Sequence, residues 1–286
     1  MRLCLVEDIA VSGLEPLTLT RPAHELLLGA TTLGQKIARA FGIGPGPNRR
    51  GCVIRNHLVA VQKQRDPHTV VNDRDWLARG PVVAVNSRWV PPLKLQLPSR
   101  QGPWVGLCGG QPACATVGPE DALTLEPHGI DNWFDVMLAR HGGQEIDGEW
   151  INRPWDLVAK NGAHLERDFP AAGADGFAKA PPANLALVGP PDRLRIHETA
   201  RIDPCTVFDT LGGPIIVGPE AWIQPFTRVE GPCFIGAETQ LFRANIRESV
   251  SIGPNCRIGG EVEATIVHGH SNKYHEGFLG HAYVGE

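Results

Sequence analysis

One pattern in the C-terminal part of the chain restricts its fold more than any other feature. Ile196, Ile202 and Phe208 stand six apart, Val217, Ile223, Val229, Ile235 and Leu241 continue at six without a break, and Ile252 and Ile258 resume after a shift in register. Several of these residues open an aliphatic-Gly-x-x phrase, as in VGPEAW, IGAETQ and IGPNCR. A sandwich strand alternates with period two and a helix repeats every 3.6 residues, so neither generates this spacing. Three six-residue faces close one triangular coil, each leading aliphatic side chain points into the prism, and coils stack at the ordinary inter-strand spacing of about 4.8 Å. The spacing predicts a left-handed parallel β-helix of hexapeptide repeats over residues 181–286.

Residues 1–180 have a different texture. Short apolar runs, Leu3 to Val6, Cys52 to Ile54 and Pro81 to Val85, read as buried strands and alternate with helical patterns, the mark of an α/β domain. Thr31 is expected to cap a helix whose apolar face is Leu33, Ile37, Ala40 and Phe41 and which ends at Gly42. A second helix begins at Asp131 and uses Trp133, Phe134, Met137 and Leu138. A third starts at Pro154, with Trp155, Val158, Gly162 and Leu165 on one stripe. The Ala-, Gly- and Pro-rich stretch 171–193 reads as the crossing between the two domains.

Composition narrows the partners. A net charge of −4 with 20% charged residues gives no electrostatic case for nucleic acid or a membrane surface. No run approaches the roughly 18 apolar residues of a membrane span, and the N-terminus lacks the regions of a signal peptide. The seven cysteines are odd in number and scattered, with no C-x-x-C pair. They are expected to be small buried hydrophobes in a reducing cytoplasm.

The strict repeat is abandoned after Ile258, where GGEVEATIVHGHSNKYHEGFLGHAYVGE concentrates four histidines, a lysine and an asparagine. His268 and His270 form an H-x-H pair, but without Cys or carboxylate spacing beside it an ordinary histidine pair is favoured over a metal site. A β-helix after an α/β domain, with K-x-H-x-G-F-L-G-H-A-Y-V-G-E at Lys273 to Glu286, resembles the sugar-phosphate nucleotidyltransferase and acyltransferase family that includes the bifunctional N-acetylglucosamine-1-phosphate uridyltransferases. PLTLTRP at Pro16 to Pro22, NSR at Asn86 to Arg88 and WDL at Trp155 to Leu157 resemble the sugar nucleotidyltransferase branch.

The resemblance implies a Rossmann-like, nucleotidyltransferase-like N-terminal domain that takes a nucleoside triphosphate and a sugar phosphate with Mg²⁺, and a β-helix that forms a homotrimer. It implies that His275 acts as general base for acyl transfer from acetyl-CoA, with Lys273 and Asn272 holding substrate. Phe278 stands where the acetyltransferases carry a tyrosine. In the first domain, active relatives open their first strand onto a Gly-rich phosphate loop, whereas this loop has the single glycine Gly13. Arg21 there either contacts phosphate or anchors the loop. Glu7 and Asp8 are the candidate metal ligands, Asn86 stands where relatives place a metal-binding aspartate, and Arg88 can meet a sugar phosphate.

Three functions follow: a sugar-phosphate nucleotidyltransferase, an acyltransferase with a sugar-binding N-terminal domain, or a non-catalytic trimeric assembly protein. Val284-Gly285-Glu286 opens a hexapeptide and stops, from which the sequence reading expects further coils beyond it.

Overall fold

The computed structural model describes residues 2–44, 46–98, 102–173 and 175–285, so Glu286, the last residue of the opened hexapeptide, lies outside the described residues. Two compact units emerge, Met1–Leu26 with Thr32–Arg153, and Leu27–Thr31 with Pro154–Glu286.

Unit 1 is built on seven strands: β1 (Arg2–Val6), β2 (Arg50–Val53), β3 (Val70–Val71), β4 (Val82–Asn86), β5 (Trp104–Cys108), β6 (Gln111–Val117) and β7 (Gly143–Glu145). They form one sheet in the order β7-β5-β6-β4-β1-β2-β3. β1 is parallel to both β2 and β4, while β6 runs antiparallel to β4 and β5. The central strands are continuous apolar runs because both faces are covered. Leu3, Leu5, Val83 and Val85 pack with Ile37, Phe41 and Trp89 on one side, and Cys4, Val6, Val82 and Ala84 with Trp76, Trp133, Phe134 and Met137 on the other.

The first of these faces receives α1 (Leu33–Ala40). Its cap is a reciprocal pair, with Gln35 N–H donating to the Thr32 hydroxyl and the Gln35 side chain accepting from Thr32 N–H. The cap therefore sits one residue later than the sequence reading placed it, at the residue three before a glutamine. α2 (Val59–Arg65), α3 (Arg74–Ala78) and α4 (Pro119–Ala122) are short, and α5 (Ile130–His141) lays Trp133, Phe134 and Met137 on the second face. The chain runs outward from β1 to β2 and β3, then returns to the other side of β1 as β4. The carboxyl ends of β1 and β4 thus flank a topological switch point, the place where open α/β sheets accept ligands.

Unit 2 stacks parallel strands in coils, as a parallel β-helix does. Six strands, Leu194–Ile196, Ile215–Val217, Cys233–Ile235, Val250–Ile252, Ile266–Val267 and Tyr283–Val284, make one face. Strands Gln240–Ile246 and Arg257–Glu263 run on round a corner, joining the other two faces into a single hydrogen-bonded sheet. Strand register aligns three core columns. Ile196, Val217, Ile235, Ile252, Val267 and Val284 form one, and Ile202, Ile223, Leu241 and Ile258 the second. Phe208, Val229, Ile246, Val262 and Leu279 form the third. Every aliphatic or aromatic position picked out by the six-residue spacing is buried. The shift after Leu241 falls at one corner, where the step from Leu241 to Ile246 is five residues against six from Ile223 to Val229; the next coil, with four from Ile258 to Val262, leaves Arg243 out of the pairing.

Corners explain the aliphatic-Gly phrase. A Cβ on Gly253 would lie 1.5 Å from the carbonyl oxygen of His268 in the next coil, so only glycine fits there. Two residues further along, Glu220, Asn255 and His270 take the left-handed conformation with φ of 56, 54 and 50°. In the coil of Ile235 the matching residue is Glu238, at 59°. Backbone bonds between coils hold these corners, among them Glu238 N–H to Pro219 O and Asn255 N–H to Ala237 O.

Against the six-strand face packs α6 (Pro154–Ala171). Its buried side is Leu157, Asn161, His164, Leu165 and Asp168, while Trp155 is 65% exposed. The stripe expected from apolar residues is therefore displaced, because three of the five buried residues are polar and carry no hydrophobic signal. Two of them, Asn161 and Asp168, serve the strap Leu27–Thr31. Gly29 N–H donates to Asn161 Oδ1 (2.8 Å), Ala30 N–H to Asp168 Oδ2 (3.0 Å) and Leu27 N–H to the Tyr283 hydroxyl (2.9 Å). Asn161 also accepts from the Ser251 hydroxyl (2.9 Å) and donates to Ser249 O (2.8 Å).

Replacing Asn161 with alanine orphans the buried Gly29 N–H and Ser251 hydroxyl. The expected loss is about 1–3 kcal/mol for each buried group left unpaired, read as a lower urea midpoint of the intact chain.

Candidate functional site

Two carboxylates lie at the carboxyl end of β1, and each is met by an arginine. Arg88 donates from Nε to Asp8 Oδ1 (2.7 Å) and from Nη2 to Asp8 Oδ2, a bidentate pair with both side chains less than a tenth exposed. Asn86 donates its amide to Asp8 Oδ2 (2.8 Å) and accepts the Arg88 backbone N–H (3.0 Å). The remaining Arg88 nitrogen, Nη1, donates to Asn152 Oδ1, and the guanidinium lies 5.2 Å from the Trp150 ring centre. Glu7 receives Arg55 through Nε (3.1 Å) and Nη2 (3.3 Å), together with the Ala23 N–H (2.8 Å). Arg55 Nη2 also reaches Thr18 O (2.7 Å), which ties down the loop after β1.

Beside these pairs opens a cleft of about 800 Å³ within unit 1. Glu7, Asp8, Ile9 and Arg55 line one side, His57 the rim, and His128 to Asn132 the other. The second wall is the start of α5. Gly129 occupies its N-cap with φ 125° and no side chain caps it, so the first-turn N–H groups and the positive end of the helix dipole face outward. Asp131 Oδ2 accepts the Ile9 N–H (2.9 Å), fixing the loop to this helix. None of the Arg55 bonds uses Nη1, and the Arg55 side chain is 19% exposed. Arg55 and the start of α5 share this cleft with the carboxylates of Glu7, Asp8, Glu15 and Asp131.

This distribution of arginines departs from the sequence reading. Arg21 is 2% exposed and sits among the largest buried side chains. Arg88 is engaged on three nitrogens inside the protein, by Asp8 and Asn152. Arg55, which the sequence reading did not single out, is the arginine that lines the cleft. Its only available signal was position, the first residue after the apolar run Cys52 to Ile54.

The chemistry of the donors does not fit Mg²⁺ as arranged. Hard divalent ions need free oxygen ligands, and the carboxylates of Glu7 and Asp8 are bonded to guanidinium groups. Asn86 turns its NH₂ to Asp8. Among the described residues no group of three His, Cys, Asp or Glu side chains could hold a metal.

In unit 2, Lys273 falls in the inward register position of Ile258, Leu241 and Ile223, at the end of a core column. Its ammonium curls round the corner and donates to the carbonyls of Gly259 (2.6 Å), His275 (3.1 Å) and Gly277 (2.6 Å). Partial burial pulls its pKa below the usual lysine range, with Glu276 opposing. These bonds brace the loop that the residue itself opens. That loop leaves His275 exposed, with its ring 5.8 Å from that of Tyr274, and Asn272 exposed on the adjoining strand. Tyr274 packs edge-on to Phe242 at 4.7 Å.

Of the seven cysteines, six are buried and Cys205 is exposed, and all are free. Burial pushes the Cys4 and Cys114 thiols up to about 12, which rules them out as nucleophiles at neutral pH. No helix among the described residues is long and apolar enough to cross a membrane.

An open sheet covered on both faces, with a cleft at the carboxyl ends of its central strands, defines the doubly wound α/β class, which takes ligands at that place. Residues 3–175 match the family model of sugar nucleotidyl transferases, and the chain belongs to that family. No curated protein matches the chain.

The Arg55–Glu7 pair gives a direct test of this geometry. Arg55→Met leaves a buried carboxylate without its partner and lowers stability by about 3–5 kcal/mol, whereas Arg55→Met with Glu7→Leu recovers most of the loss. Urea unfolding of the single and double variants measures both.

Proposed function

We propose that unit 1 transfers a nucleotidyl group from a nucleoside triphosphate to a sugar 1-phosphate, releasing pyrophosphate. The observation that carries this is Arg55, with Nη1 unused, lining a cleft of about 800 Å³ opposite the uncapped start of α5. In this reading the sugar phosphate oxygen attacks the α-phosphorus in line while the bond to the β-phosphate oxygen breaks. Arg55 and the first N–H groups of α5 receive the phosphate oxygens, whose charge they compensate without having to reorganise. Ile9, 79% exposed, offers the nucleoside an apolar surface, and His57 and His128 supply polar contacts at the rim. The Asp8–Arg88 and Glu7–Arg55 pairs hold the strand ends rigid beneath the ligand.

We read the unit 2 coil as left-handed, built of hexapeptides and assembling as a homotrimer; the three core columns and the left-handed residues at the corners support the coil. The free, mostly buried thiols suit a reducing compartment such as the cytoplasm. A second reading places acyl transfer from acetyl-CoA to an amino sugar at His275. It is favoured by the exposure of that imidazole on a loop fixed by Lys273. In that case His275→Ala abolishes acetylation and leaves pyrophosphate release intact.

Pyrophosphate release from a panel of nucleoside triphosphates and sugar 1-phosphates tests the main reading. We expect one pair to react, Arg55→Lys to lower kcat/KM by about 10²-fold, since an ammonium cannot reproduce the forked contact, and His57→Ala and His128→Ala to raise KM. Silence from every pair removes the nucleotidyl transfer reading.

A further inference from the structure

We propose that Arg88 takes the place of a divalent cation between Asp8 and Asn86, so that unit 1 binds its nucleotide without one. The inference rests on the cleft being the nucleotide site.

Asp8 follows β1 and Asn86 ends β4, and these strands are neighbours in register, with Val6 opposite Asn86. The two side chains meet at 2.8 Å at the switch point, where an oxygen from each would be the obvious pair of ligands for a cation. Instead both Asp8 oxygens accept from Arg88, and Asn86 Oδ1 accepts from the Arg88 backbone. The amide cannot turn over to offer its oxygen inward. A flip would set Oδ1 against a carboxylate and NH₂ against a backbone N–H, giving repulsion on both sides.

Arg88 is held on its remaining sides as well, by Asn152 and by the Trp150 ring, and is 3% exposed. The neighbouring carboxylate, Glu7, is matched by Arg55 in the same manner. Two carboxylates and two guanidinium groups already balance. A dication seeking the oxygens of Glu7 and Asp8 would have to displace an arginine from them, leaving a guanidinium unpaired in surroundings where that is costly. Positive charge for the phosphates comes from Arg55 on the cleft wall.

The test is a titration of the intact chain with Mn²⁺ followed by electron paramagnetic resonance, beside nucleotide binding by calorimetry with ATP, CTP, GTP, UTP and dTTP in EDTA and in Mg²⁺. Wild type is expected to bind no Mn²⁺ at this position, and a triphosphate that binds is expected to keep its affinity within about threefold when Mg²⁺ is withdrawn. Arg88→Met, which removes the guanidinium but keeps the bulk, is expected to gain a Mn²⁺ signal that Arg88→Met with Asp8→Asn loses again. Mn²⁺ bound by wild type and lost in Asp8→Asn overturns the proposal. So does nucleotide affinity that falls more than about tenfold in EDTA. If Arg88→Met does not fold, the wild-type Mn²⁺ titration and its Asp8→Asn control decide alone. If no triphosphate binds under either condition, the proposed function fails, and the Mn²⁺ titration still decides between Arg88 and a metal.

Discussion

The parallel ends of β1 and β4 depend on two arginine–carboxylate pairs. Tight, buried parallel strands bring acidic residues together wherever their loops begin, and here Glu7 and Asp8 are consecutive. Unpaired, they would repel each other in a low-dielectric crevice. Arg55 and Arg88 neutralise them from opposite neighbours, one from the chain after β2 and the other from the chain after β4. The loop from Asp8 to Pro22 is pinned in consequence, through Thr18 O and Asp131, and the cleft acquires its wall. The site of unit 1 is thus shaped by ion pairing before any ligand arrives.

Unit 2 solves a different problem. Its core columns need little more than an aliphatic residue at each inward position, and the corners need residues that accept a left-handed backbone or close approach. Lys273 breaks that rule. A lysine at an inward position is tolerable only because its long stem reaches past the column and its ammonium finds three carbonyls at the corner. The same ammonium braces the loop bearing His275.

How far the sequence could be read follows from these differences. The six-residue columns were legible because the same side-chain type recurs at a spacing no other fold produces, and the strand runs of unit 1 because burial on both faces leaves no polar position. The buried face of α6 was not, since Asn161 and Asp168 obey hydrogen-bonding needs and not hydropathy. Neither was the division of labour among arginines. Arg21, Arg55 and Arg88 each follow an apolar run or a proline-rich loop, and only the sheet order shows which one reaches the cleft. Asp8, Asn86 and Arg88 were all picked out, but as separate roles; that they bond to one another is a property of strand register that a single chain does not display.

The strap Leu27–Thr31 carries a consequence for how the molecule is made. Its flanking residues belong to unit 1, yet its backbone donors are satisfied in unit 2, by Asn161 and Asp168, 132 and 138 residues later, and by Tyr283, 256 residues later. Gly29 is fixed there by φ 66° and by an α6 backbone that leaves no room for a Cβ. During synthesis the segment leaves the ribosome long before any of its partners exist. The strap can close on itself early, through Leu33 N–H to Leu26 O, but its bonds to Asn161, Asp168 and Tyr283 wait for the C-terminal half of the chain.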